Sequence, residues 1–143
     1  MHLTTFSDYS MRVLMYLALQ QEQRVTIGDI AKRYQISDNH LTKVVHFLAK
    51  AGYIKTIRGK GGGLKLERPV EAINLGTVIR LTEGDEGLLP CVQGEGDCCL
   101  IPVCRLTGIL RESQQALYQV LDKYTLADLL IDKAPLTRIL RPD

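Results

Sequence analysis

The sequence predicts a mainly α fold with a small β-wing: a winged helix-turn-helix followed by a long dimerisation helix. Three observations carry this reading. Residues 26–51 read as two capped helices joined by a tight turn. Residues 53–66 alternate apolar and polar around a glycine-rich turn. Residues 105–123 repeat apolar side chains at helical spacing.

The elements follow in order. Thr5 and Ser7 are available to cap a first helix, and Asp8 falls in its first turn, where a carboxylate complements the helix dipole. Met11, Leu14, Met15 and Ala18 share one face of it. Thr26 caps a short helix, residues 34–36 turn, and Ser37 caps the next helix, which Gly52 stops. Leu41, Val44, Val45 and Leu48 form its buried stripe, leaving Asn39, His40, Thr42, Lys43 and His46 on other faces. The hairpin that follows carries Arg58 and Lys60 beside its glycine turn. Gly61 to Gly63 lack the spacing of a phosphate-binding loop, and no helix follows at once. Pro69 closes the wing. A helix is expected over residues 73–81 with Leu75, Val78, Ile79 and Leu81 turned inward, and a loop from residue 82 to 87 and beyond. After residue 105, Leu106, Ile109, Ala116 and Val120 make one stripe and Leu110, Leu117, Leu121 and Tyr124 a second. Two stripes serve two neighbours, the chain's own domain and a second subunit. Thr125 caps a last short helix, Pro135 ends it, and the tail is expected to be loose. The expected divisions are a DNA-binding winged helix-turn-helix over 1–80, a cysteine-rich loop over 81–104, and a dimerisation segment over 105–143.

Charge alone fits a nucleic-acid surface in the first half and an ordinary solvated mixed surface about equally. Residues 1–69 hold 11 Lys/Arg against 5 Asp/Glu, and residues 70–143 hold 7 against 11. Between Lys43 and Arg68 there are seven Lys/Arg and one acid, Glu67. On double-stranded DNA, Asn39 and His40 are placed at base edges, with Ser37 and Thr42 beside them. Lys43, Arg58 and Lys60 are placed on phosphate or in the minor groove. No apolar run is long enough to span a membrane, and the first residues lack the regions of a signal peptide. A cytoplasmic location is therefore expected, where thiols stay reduced.

All four cysteines lie between residues 91 and 104, as Cys91-x6-Cys98-x5-Cys104 with Cys99 extra. This is not the Cys-x2-Cys pairing of zinc ribbons. Three thiolates with an outside fourth ligand suit an iron–sulfur cluster and structural zinc about equally, with a thiol redox switch third. The long spacers hold Gly94 and Gly96, which lets the loop wrap a larger object, and Cys104 stands where the long helix starts. An enzyme, such as a thiol oxidoreductase using Cys98 and Cys99, is the reading from another class. No His or Asp is recognisably placed to activate either thiol.

Several stretches occur together: Leu3-Thr4-x-Phe6-x-Asp8-Tyr9, Ser37-x-Asn39-His40-Leu41-x-Lys43, Ala51-Gly52-Tyr53, Arg58-Gly59-Lys60-x-Gly62-Gly63, the spaced cysteines and Tyr124-Thr125-Leu126-Ala127-Asp128. Over nearly its full length the chain resembles the winged-helix iron–sulfur transcriptional repressors. Pro102-x-Cys104-Arg105-Leu106 makes it most similar to their nitric-oxide-sensing branch. The resemblance implies a homodimer that releases operator DNA in response to nitric oxide. It implies a cluster, [4Fe-4S] rather than [2Fe-2S], held by Cys91, Cys98 and Cys104 with Asp8 of the other subunit as fourth ligand. A branch that uses a histidine three residues after the last cysteine would need it where this chain has Thr107, and a redox-sensing branch would need His where it has Arg12. The chain departs from its own branch in the six-residue first spacer and in Cys99.

Overall fold

The computed structural model describes residues 2–84 and 87–140. Six α-helices and one hairpin run in the order α1 (Thr5–Leu19), α2 (Ile27–Tyr34), α3 (Asp38–Lys50), β1 (Ile54–Ile57), β2 (Gly63–Leu66), α4 (Leu75–Glu83), α5 (Arg105–Leu121) and α6 (Lys133–Leu140). Short 3-10 turns occupy Val70–Ala72, Pro90–Gln93, Ile101–Val103 and Leu126–Leu130.

Local chemistry sets the ends. The cap of α1 is Thr4, which accepts from the Ser7 N–H, rather than the expected Thr5 or Ser7, which lie inside the first turn. Thr26 and Asp29 form a reciprocal capping box on α2, and Ser37 accepts from the His40 N–H to start α3. Gln35 takes the left-handed conformation in the turn between α2 and α3. In the wing, Ile54 faces Leu66 and Ile57 faces Gly63 in antiparallel register. At Gly62 a Cβ would collide with the Ile57 carbonyl, so the wing turn requires glycine there. Leu64 donates to the Val25 carbonyl at 2.7 Å, which fastens the wing to the segment before α2.

A single apolar core joins both ends of the chain. Val13, Leu14, Leu41, Val44, Leu48, Ile73, Val78 and Leu126 are at most 1% exposed, and Leu130 and Leu140 pack into the same cluster. The stripe expected on α3 is the one buried. The buried face of α1 is wider than the four residues read from periodicity: it also takes in Val13, Tyr16 and Leu17, while Met11 and Met15 sit at its margin. The reason is that α1 is central, packing against α3, α4, β2, α6 and the turn at Leu126–Leu130.

Four further expectations are corrected. The helix expected from residue 73 begins at Leu75, because Asn74 caps it by accepting from the Thr77 N–H at 2.9 Å. It then continues through Thr82 and Glu83, which were expected in the loop, and Gly84 at φ 70° ends it. Leu81 faces outward, 42% exposed. Of the expected loop start, Asp85 and Glu86 lie outside the described residues. Nor is the tail loose up to Leu140: Pro135 falls in the first turn of α6, where its missing N–H has no intrahelical partner to lose, and Leu136 and Leu140 then face the core.

The joint between α4 and α5 is tight. Arg80 forms a two-pronged ion pair with Asp122, at 2.7 and 2.6 Å, and its guanidinium lies 4.4 Å from the Tyr118 ring centroid. The Asn74 amide donates to the Asp122 and Tyr124 carbonyls. A Cβ on Gly76 would overlap the Asp122 carboxylate. Gly76→Ala is therefore expected to lower unfolding free energy by roughly 1–3 kcal/mol, the usual cost of overpacking. Urea denaturation of the variant checks this, and an unchanged midpoint would contradict the joint.

Candidate metal centre and nucleic-acid interface

The helix-turn-helix presents a coherent polar surface. Asn39, His40, Lys43 and His46 on α3 are exposed, as are Arg58 and Lys60 on the wing. Two candidate DNA-contacting hydroxyls already have local work. The Ser37 oxygen caps α3, and the Thr42 hydroxyl donates to the Asp38 carbonyl at 2.7 Å. Arg68, part of the basic run, stays exposed but folds back on its own chain. It donates to the Gly52 and Ala51 carbonyls at 2.9 and 3.1 Å and lies 4.4 Å from the Tyr53 ring centroid. Arg68 thus satisfies the end of α3 and anchors the wing to it. Lys55 faces Glu67 at 3.9 Å across the hairpin. The cations left for a phosphate backbone include Lys43, Arg58 and Lys60.

The cysteine loop leaves α4 at Gly84 and re-enters helix at α5. Cys98 and Cys99 are exposed, Cys91 and Cys104 half-buried, and all four are free thiols. The first half of the loop is pinned, with Val92 buried and its carbonyl accepting from the Arg111 guanidinium at 2.9 Å. Positive φ at Gly94 and Gly96 turns the chain between Cys91 and Cys98. Cys104 stands at the N-cap position of α5. The Thr107 hydroxyl is buried without a well-aligned partner and faces the Cys104 sulfur. That hydroxyl, with the backbone N–H groups of Thr107 and Leu106, holds the Cys104 thiol below its ordinary range against the opposing effect of burial. A thiol poised this way is a better ligand for a soft metal.

Asp8, by contrast, is occupied within its own chain. Its carboxylate forms a two-pronged pair with Arg12 one turn on, at 3.0 and 2.9 Å, both side chains being nearly half exposed. Arg12 also lies 5.6 Å from the Tyr34 ring centroid, and the Tyr34 hydroxyl donates to the Arg12 carbonyl. Among the described residues, no three His, Cys, Asp or Glu side chains of one chain come close enough to share a metal ion. The donor chemistry nevertheless fits a soft metal or cluster: three spaced thiols on a glycine-containing loop, one of them activated, and a carboxylate on an exposed helix turn.

The outer face of α5 carries the apolar surface expected of a subunit contact. Leu106, Ile109, Leu117, Val120 and Tyr124 are 39–55% exposed. Thr107, Leu110, Gln114, Tyr118 and Leu121 face the chain's own domain. The division between faces therefore runs across the two stripes read from the sequence, moving Leu117 and Tyr124 outward. No helix among the described residues is long and apolar enough to cross a membrane.

Comparison with known proteins fits this geometry. The model of the Rrf2 family, described as an iron-dependent transcriptional regulator, matches residues 3–132. The chain is 47% identical to the HTH-type transcriptional regulator NsrR of Geobacillus kaustophilus (strain HTA426), over 99% of this chain and 97% of that protein. To the protein of the same name from Bacillus subtilis (strain 168) it is 44% identical, over 99% and 98%. Among solved structures it is similar to T. potens IscR, with TM-score 0.74 and 28% identity over 95% of this chain and 90% of that one. It is also similar to the oxidized form of Staphylococcus aureus CymR, with TM-score 0.72 and 28% identity over 92% and 97%.

Proposed function

The chain belongs to the Rrf2 family and is a DNA-binding transcriptional repressor, not an enzyme, and from that premise we propose that it senses nitric oxide through an iron–sulfur cluster. The observation that carries the reading is the concentration of every thiol of the chain in one loop of a DNA-binding fold. Cys91, Cys98 and Cys104 would hold the cluster, and Asp8 of the partner subunit would complete it. A homodimer built on the outer face of α5 brings the two chains together. When bound, the cluster supplies iron that nitric oxide attacks.

The chain's own residues convert that into DNA affinity. Three thiolates bind soft iron firmly, whereas Asp8 is a hard oxygen donor and the weakest of the four. Asp8 stands on the first turn of α1, and α1 lies directly on α3. Phe6 meets Phe47 edge-on with ring centroids 5.2 Å apart, and the Tyr9 ring lies 6.3 Å from His40. A change in what holds Asp8 is therefore a change in the seat of the recognition helix. A 10-fold to 100-fold change in DNA affinity needs only about 1.4–2.8 kcal/mol of coupling.

The test is anaerobic purification, an absorbance spectrum with iron and sulfide assay, and titration with nitric oxide on operator DNA. A brown protein that loses its spectrum and its DNA together is the expected result, with the iron count giving nuclearity; we expect [4Fe-4S] rather than [2Fe-2S]. A colourless zinc protein indifferent to nitric oxide would remove the signal and leave the repressor. Single replacements sort the ligands. Cys91→Ser, Cys98→Ser and Cys104→Ser should each lose most of the iron, and Cys99→Ser should keep it; the reverse result at positions 98 and 99 would exchange their roles.

A further inference from the structure

One carboxylate fastens the head of α1 to the end of α4. Glu83 Oε1 accepts from the Thr4 N–H at 2.8 Å, from Thr4 Oγ1 at 2.9 Å, and from Ser7 Oγ at short range. Ser7 Oγ also lies 2.6 Å from Thr82 Oγ1, and Ser7 is fully buried. Burial pushes the Glu83 carboxyl up, but the hydrogen bonds from Ser7 and Thr4 outweigh it and leave the group below its ordinary range. The site also faces the positive end of α1.

Its place in the chain gives this contact meaning. Glu83 is the last residue of α4 and stands at the root of the cysteine loop. The helix that it grips carries Asp8, Phe6 and Tyr9. Capping alone does not require Glu83, because Thr4 Oγ1 already accepts from the Ser7 N–H. Nor does the position of α1 in the core depend on it, since Val13, Leu14 and Leu17 hold the helix from below. What Glu83 adds is a direct polar bond between the loop's root and the helix that seats α3.

We infer that Glu83 is a positioning residue that transmits the state of the cysteine loop to the recognition helix, by holding Thr4 and Ser7 at the head of α1. The inference rests on the proposed sensing function. Its test compares operator affinity of the cluster-loaded and cluster-free forms in the wild type and in Glu83→Ala, Ser7→Ala and Glu83→Gln. In the wild type the two forms should differ on the order of 10–100-fold. In Glu83→Ala and Ser7→Ala the ratio should fall below about 3-fold, with iron content and far-ultraviolet circular dichroism unchanged. Glu83→Gln keeps the accepting oxygen and should retain most of the ratio, which a merely destabilising role would not produce. A wild-type ratio in Glu83→Ala overturns the inference while leaving the sensing function intact. If Glu83→Ala does not fold, a wild-type ratio in Ser7→Ala overturns it instead. A wild type whose two forms bind alike removes the sensing function, and the inference with it.

Discussion

Asn39→Ala is expected to weaken operator binding by roughly 1–3 kcal/mol, about 5-fold to 150-fold, and to erase discrimination at one base pair. Asn39 is exposed in the first turn of α3, on the side opposite the buried Leu41, Val44 and Val45. Its amide offers a donor and an acceptor together, the pair an adenine edge requires in the major groove. Lys43, one turn on, is a point charge on a flexible stem. Lys43→Ala should weaken all sequences about equally and reduce the slope of log affinity against log salt by about 0.9, one phosphate's share. Ser37→Ala should act differently again. Its oxygen caps α3, so its loss should appear as about 0.5–2 kcal/mol of stability rather than as altered specificity. Binding measured on operator variants at several salt concentrations separates the three. If Asn39→Ala and Lys43→Ala behave alike, the division between base and phosphate contacts is wrong.

The parts of this molecule that were legible in the sequence are the parts governed by short-range rules. The stripe Leu41, Val44, Val45 and Leu48 follows from helical periodicity, and the caps Thr26 and Ser37 from hydroxyls placed just before apolar runs. The glycine turn of the wing is readable because few other residues fit there. What was not legible joins residues far apart in the chain. Glu83 meets Thr4 and Ser7, Arg80 meets Asp122, and Arg68 closes the end of α3. No local pattern marks such partners, and a basic run conceals that one of its arginines folds back to cap its own chain. The tail is hard to read from sequence for a different reason. Pro135 reads as a stop, although proline is tolerated in a first turn, and the spacing of Leu136 and Leu140 is the available signal for α6. In the candidate site, the clustered thiols are evident from the positions of the four cysteines alone, while Asp8 enters as a ligand only through resemblance. Its pairing with Arg12 at i, i+4 spacing is a local contact that the sequence allowed and the structure displays.

If Asp8 is the fourth ligand of the proposed cluster, that pairing makes Arg12 its competitor, and the competition gives the second large expected effect. Asp8→Ala should remove the fourth ligand. The cluster-loaded variant should then bind operator on the order of 10–100-fold more weakly than wild type and respond little further to nitric oxide. Arg12→Ala should act in the opposite direction, because Asp8 loses its intrachain counter-ion and is freer to serve the partner's loop. The gain should be small, since a half-exposed ion pair contributes only about 0.2–1 kcal/mol. Arg12 also rests on Tyr34, whose hydroxyl burial pushes up to about 12. Its removal therefore carries a packing cost that would blur a comparison of single variants. The double variant resolves this. If Arg12 acts on sensing only through Asp8, Asp8→Ala/Arg12→Ala should match Asp8→Ala in its nitric oxide response, and the two effects should be non-additive. Additive effects would place Arg12 on a separate route. An Asp8→Ala protein that binds operator tightly and releases it normally with nitric oxide would show that α1 carries the signal without its carboxylate.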